Sequence, residues 1–252
     1  MEGLHTWVIN LERDRARLQR ISQQLAPTGL AWTRMPAVDG RALPLPEQQR
    51  LLDTATYRRR HGMEPAPGEL GCYLSHLAVM RALLDSPHQA ALVLEDDVLL
   101  TPALPAVLQG LLACRARWDL VKLSRVHSGT PQRVQEVAPG HHLAVMFSRC
   151  TGSSAYLLSR RAAESYLAGM LPMTLPYDHV FDQGWTFGLQ VRMVTPTPCI
   201  HDEEIATTIG SGGHRRKFSA WRRLPAHAWR AGNELRRVAY ALRELRRARR
   251  AG

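Results

Sequence analysis

The chain has 252 residues, 45% hydrophobic and 22% charged, proportions that exclude a disordered or low-complexity segment and suit one large domain with a substantial core. The formal net charge is +11, but residues 214–252 hold thirteen basic and two acidic side chains, while the preceding residues balance at twenty of each. A globally basic surface is thereby excluded, and the whole excess sits in one tail.

In chain order, Thr6 to Leu11 is a β-prone run that passes through a charged turn. Leu18, Ile21 and Leu25 then recur at helical spacing until Pro27 and Gly29 stop them. This strand, turn and helix read as the opening unit of a nucleotide-binding α/β domain. Arg13, Arg15 and Arg17 stand where phosphates or a uracil ring would be met, although each alone also suits a solvated helix surface. Ala31 to Val38 predicts a second strand, ended by the turn dipeptide Asp39-Gly40. Residues 41–67 show weak periodicity and predict an irregular excursion holding one short helix.

Leu70, Leu74, Leu77, Met80 and Leu84 form a helical apolar stripe, with Ser75 and His76 beside it. Next, the aliphatic run Ala90 to Leu94 predicts a buried strand that ends in Glu95, Asp96 and Asp97. Side chains alternate along a strand, so Glu95 and Asp97 are expected on one face and Asp96 on the other. Ligands of open α/β sheets bind beyond the carboxyl ends of strands, and hard oxygen donors suit Mg²⁺ or Mn²⁺. A solvated acidic turn is the alternative.

Further helices and strands follow at 105–114, 118–123, 151–158 and 191–194, with a loop or hairpin over 126–142 and Ser159 capping a helix. Pro172 and Pro176 bracket a turn into Tyr177-Asp178-His179, and Gly210 to Gly213 is a glycine-rich loop. The tail carries an apolar stripe of Trp221, Leu224, Ala228, Leu235, Val238, Leu242 and Leu245 among arginines, with Pro225 expected to divide it. Such a basic amphipathic helix suits an anionic membrane surface. Packing on the body or self-association are the alternatives. Cys72, Cys114, Cys150 and Cys199 are widely spaced without a CxxC pair, which points to free thiols. A basic-then-apolar leader and a bilayer-length apolar run are both missing, so a cytoplasmic location is expected.

Six segments in order carry a resemblance: Val8-Ile9-Asn10-Leu11 with its arginines, Ala37-Val38-Asp39-Gly40, Gly68-Glu69-Leu70-Gly71-Cys72 with Ser75-His76, Leu94-Glu95-Asp96-Asp97, Gly152 to Ser159, and Pro176-Tyr177-Asp178-His179. The set resembles glycosyltransferase family 25, the bacterial lipooligosaccharide glycosyltransferases, over roughly residues 6 to 210. That resemblance implies a GT-A-like α/β domain, taken over residues 1–213, with a mixed, mostly parallel sheet flanked by helices; the amphipathic helical tail over 214–252 is read from the residues and departs from the family's pattern. It also implies a UDP-sugar donor, galactose above all, inverting transfer and a divalent metal, Mn²⁺ or Mg²⁺.

On that reading Glu95 and Asp97 hold the metal, with His201 after the last strand as a further ligand or else a surface-loop histidine. Asp178 is the first choice of base and Asp182 the second; a helix N-cap is the alternative for Asp178. Asn10, Arg13, Arg17, Asp39, Asp96 and Lys122 are donor-side candidates, and Ser75 and His76 carry over as motif positions without an assigned role. The expected acceptor is a glycan or glycolipid at the inner face of the cytoplasmic membrane, with oligomeric state open. Two rival readings are a metal-dependent phosphodiesterase built on the acidic cluster and a noncatalytic nucleic-acid binder built on the tail. The order of motifs ranks both below the transferase.

Overall fold

The computed structural model describes residues 1–126, 129–201 and 218–250; the side chain of His201 and the glycine-rich loop at 210–213 lie outside the described residues. Ten strands are described: β1 (Leu4–Asn10), β2 (Trp32–Pro36), β3 (Ala90–Glu95), β4 (Val98–Leu100), β5 (Leu120–Lys122), β6 (Pro131–Ala138), β7 (His141–Met146), β8 (Ala155–Ser159), β9 (Val191–Thr195) and β10 (Cys199–His201). The helices are α1 (Arg15–Leu25), α2 (Leu45–Leu51), α3 (Thr54–His61), α4 (Pro67–Asp85), α5 (Leu104–Ala113), α6 (Arg160–Gly169), α7 (Tyr177–Val180), α8 (Gly184–Phe187) and α9 (Leu224–Arg250).

Eight strands form one sheet in the order β2-β1-β3-β8-β5-β9-β7-β6. The pairings make six of them point one way, with β8 and β7 reversed, so the sheet is mixed and mostly parallel. Side-chain alternation along the central strands builds two cores. Trp7, Ile9, Val93 and Tyr156 face α4 and α6, while Val8, Leu92, Leu94 and Leu157 face α1 and α5. Continuous aliphatic runs such as Ala90 to Leu94 are therefore buried on both sides of the sheet, as the run itself predicts.

Two local readings change, and one open alternative is decided. Residues 41–67 hold two short helices rather than one, because Tyr57 is fully buried and ties α3 to the core despite the polar surroundings. The hairpin alternative for residues 126–142 is the one found: β6 and β7 pair antiparallel. Pro225 opens α9 instead of dividing it; a proline in the first turn has no intrahelical N–H bond to forfeit.

The tail helix packs on the body, through a polar face. Asn233, Arg237, Tyr240 and Glu244 are buried at helical spacing. Arg237 pairs with Asp182 at 3.0 Å and Glu244 with Arg192 at 2.8 Å, all four side chains being at most 4% exposed. The Tyr240 hydroxyl donates to the Leu189 carbonyl and accepts from the Val191 amide. The aliphatic row Leu224, Leu235, Val238 and Leu242 is left exposed. Among the described residues no helix is long and apolar enough to cross a membrane.

Candidate active site

Two glycines fix one wall. A Cβ on Gly40 would fall 1.8 Å from the Pro67 carbonyl oxygen, and one on Gly71 would fall 2.4 Å from the Val38 carbonyl oxygen. Backbone thus crosses backbone where the turn after β2 meets the first turns of α4, a contact that any side chain would block. Ser75 locks the crossing: its hydroxyl donates to the Gly71 carbonyl at 2.7 Å and accepts from the Val38 amide at 2.8 Å. Ser75 is therefore a clamp that holds Asp39 at the rim. Glu69 starts the helix by accepting from the Ala66 amide, and it accepts a second bond from the Tyr57 hydroxyl.

The acidic cluster emerges opposite. Glu95 and Asp96 separate to the two faces of the sheet, as strand alternation requires. Glu95 lies against α4, where Ser153 Oγ donates to it at 3.1 Å and His76 Nε2 is 3.3 Å away. Asp96 turns toward α1, accepts from Asn10 Nδ2 at 2.6 Å and lies 3.5 Å from Arg17. Asn10 is itself held by Arg34, whose Nε donates to its side-chain oxygen at 3.1 Å. Asp97 is buried, and its pKa is pushed up to about 7 by burial first and then by the charges of Glu95 and Asp96. Burial likewise raises Asp96, against the pull of Asn10 and Arg17.

Three neighbouring carboxylates ionise together only where positive charge offsets them. Arg17 supplies part of it, and a divalent cation on these hard oxygens fits the remainder, Mg²⁺ or Mn²⁺ by donor type. A second donor set overlaps it: ligand atoms of Cys72, His76 and Glu95 lie within 4.8 Å of one another.

Asp178 lies in the first turn of α7, and one of its carboxylate oxygens accepts from the Gly152 amide at 3.3 Å. Arg13 and Asp39 pair at 2.5 Å at the rim, both substantially exposed, and that contact holds the Asp39 carboxyl below its ordinary range. All these groups line one cleft of about 570 Å³, within the range of small-molecule sites. It opens at the carboxyl ends of β1, β2 and β3, the place Glu95 to Asp97 indicate from sequence.

Of the expected residues, Asn10, Arg13, Arg17, Asp39, Ser75, His76, Glu95, Asp96, Asp97 and Asp178 line this cleft. Lys122 and Asp182 do not. The Lys122 ammonium donates to the Cys150 carbonyl and lies 4.9 Å above the Phe181 ring, while Asp182 is consumed by Arg237. Both belong to a buried cluster beneath α9, whose contribution comes from far along the chain. The tail's polar face is the physical reason Asp182 does not reach the cleft, whereas Lys122 is held by Cys150 and Phe181. His201, the third expected ligand, has its side chain outside the described residues.

Sequence reading did not single out Cys72, Glu69, Ser153, Tyr177 or His179, which also line the cleft. For Cys72 a signal exists: it precedes His76 by four residues, one turn on the same helix face. None of the four cysteines is in a disulfide, as their spacing suggests, and burial with Glu95 and Asp178 nearby raises the Cys72 thiol well above its ordinary pKa.

A mixed sheet with a carboxylate-rich cleft at its strand ends has its candidate site where open α/β sheets bind ligands. The family model for glycosyltransferase family 25 (LPS biosynthesis protein) matches residues 4–181, the segment that builds the cleft, and the chain belongs to that family. It is 29% identical over 180 residues to procollagen galactosyltransferase 1 of Danio rerio, covering 68% of this chain and 30% of that one. It is 32% identical over 213 residues to a glycosyltransferase 25 family member of Anopheles gambiae, covering 76% and 34%. The chain thus spans about a third of the length of these curated relatives. A solved glycosyltransferase involved in the glycosylation of the major capsid of PBCV-1 is similar at a TM-score of 0.42 and 8% identity, over 90% of this chain and 98% of that one.

Proposed function

We propose that the chain is a metal-dependent, inverting hexosyltransferase that moves galactose from UDP-galactose to a hydroxyl of an LPS-type glycan. The observation that carries this reading is that Asp178 and the Glu95-Asp96-Asp97 cluster line one cleft at the strand ends. Glu95 and Asp97 are the residues that would hold the cation. When bound, such an ion supplies Lewis-acid stabilisation of charge on a diphosphate leaving group. Asn10 and Arg17 keep Asp96 fixed beside them.

Asp178, half-buried, accepts a long bond from the Gly152 amide on one oxygen and has His179 Nε2 3.9 Å from the other, which leaves lone pairs for the acceptor. In the proposed step its carboxylate takes the acceptor's hydroxyl proton as that oxygen bonds to the anomeric carbon. The bond from that carbon to the UDP oxygen breaks on the opposite face, which inverts the centre. Arg13 and Asp39, paired at the rim, are the groups this reading assigns to the uridine. Galactose is supported by the names of the procollagen galactosyltransferases, and the glycan acceptor by the family's description as LPS biosynthesis proteins.

A membrane seat at the cytoplasmic face is part of the same reading. What supports it is the exposed row Leu224, Leu235, Val238 and Leu242 on α9, amid exposed arginines. Each basic residue near an anionic surface adds on the order of 1 kcal/mol. The deciding experiment is calorimetric titration of nucleotide sugars with and without Mn²⁺. Manganese-dependent binding of UDP-galactose is the expected result; no nucleotide sugar binding with any metal would overturn the transferase reading.

A further inference from the structure

Cys72 and His76 stand one turn apart on the same face of α4, and Glu95 comes to meet them from the end of β3. His76 is fixed by two contacts. Its Nδ1 meets the Tyr156 hydroxyl at 3.0 Å, and its ring stacks on Tyr177 with centroids 4.0 Å apart. The remaining nitrogen, Nε2, is fully buried, 3.3 Å from Glu95 Oε1, and makes no hydrogen bond. A histidine held through one nitrogen with the other directed at a thiol and a carboxylate has the outer-shell arrangement of a metal ligand. Two ligands each about 2.0 Å from a tetrahedral zinc ion lie about 3.3 Å apart, close to the His76–Glu95 separation.

We propose that Cys72, His76 and Glu95 form a binding site for a borderline-soft divalent cation of the Zn²⁺ type, distinct in donor chemistry from the hard-oxygen cation position on the acidic cluster. Three protein ligands leave a fourth position open to water from the cleft. Binding is written as displacement: the Cys72 S–H proton passes to solvent as the sulfur–metal bond forms, with no change of oxidation state. Thiolate and imidazole select against Mg²⁺ and Mn²⁺, which prefer oxygen. Glu95 belongs to both donor sets, so Zn²⁺ and the catalytic-type cation exclude each other. This last clause alone rests on the transferase reading, and it makes Zn²⁺ an inhibitor competitive with Mn²⁺.

The test uses chelator-treated full-length protein titrated with Co²⁺ as a spectroscopic stand-in. A near-ultraviolet thiolate-to-cobalt charge-transfer band, bleached by Zn²⁺, is expected in the native chain. It should vanish in Cys72→Ser, with Zn²⁺ affinity down at least about tenfold, and persist in Cys114→Ser. A native chain without that band, or a band that survives Cys72→Ser, overturns the site. A second measurement needs no variant: Zn²⁺ should slow alkylation of Cys72, followed by mass spectrometry, whereas an unchanged rate overturns the proposal. Neither readout uses a sugar nucleotide, so failure of this site and failure of the transferase reading give different results.

Discussion

Asp97 shows how a single side chain reports on the state of the cleft. Its folded pKa, about 7, stands above its ordinary value of 3.8. The protonated form is thus the favoured one in the fold, so its contribution to stability is full below about pH 4 and is lost as pH rises through about 7. Metal-free protein should therefore lose melting temperature over that window. Asp97→Asn should flatten this part of the profile, and Mn²⁺ at about 100 times its Kd should restore about 2.7 kcal/mol at neutral pH; thermal melts from pH 4 to 8 check all three. In the same cleft, Asp178→Asn should lower kcat by about 10²–10⁴-fold while donor Kd stays within roughly twofold. Unchanged turnover would remove Asp178 as the base. At this scale the sequence is legible where a site residue sits inside a contiguous run, as Glu95 to Asp97 do. It is silent where the partner is distant: Asn10 finds Asp96 86 residues on, and Asp182 meets Arg237 55 residues on. Those distant partners decide which carboxylates face the cleft.

The helix α4 carries its chemistry because of how it begins. Its opening glycines read in the sequence as punctuation, yet their function is contact: Gly71 lets the Val38 carbonyl approach a helix axis. Gly71→Ala should cost about 1–3 kcal/mol, as overpacking of a close contact does, and should move Asp39 with it. Gly232→Ala, in the exposed interior of α9 with open space around it, should instead add about 0.5–1 kcal/mol. Urea denaturation of the two variants separates the contact from the residue type. Periodicity found α1, α4, α5 and the central strands because each buries a regular stripe. It under-read residues 41–67, where only Tyr57 and His61 of α3 are buried and a stripe of two residues leaves no period.

At the scale of the molecule, α9 inverts the usual amphipathic logic by burying charge and exposing leucine. Removing one partner of a buried ion pair costs about 3–5 kcal/mol, so Glu244→Ala should destabilise the whole chain by that amount through the stranded Arg192 guanidinium. Truncation of the tail would strand Asp182 and Arg192 together, which makes it a test of folding. Membrane attachment is better tested by Leu235→Ser with Leu242→Ser, since both side chains face solvent. The double variant should keep its melting temperature and lose binding to vesicles rich in anionic lipid; retained binding would set the helix's apolar face aside as an anchor.

The same inward-facing charges have a consequence for biosynthesis. Asp182 follows Asp178 by one helical turn's worth of chain, and Leu189 and Val191 lie just beyond, yet all three are held by side chains of residues 237 and 240. A nascent polypeptide emerging from the ribosome can pair β1, β2 and β3 early, but it cannot neutralise Asp182 until α9 has cleared the exit tunnel. The wall that carries Asp178 is therefore the last to set, and a translational-arrest force profile should rise sharply only once residue 244 is outside.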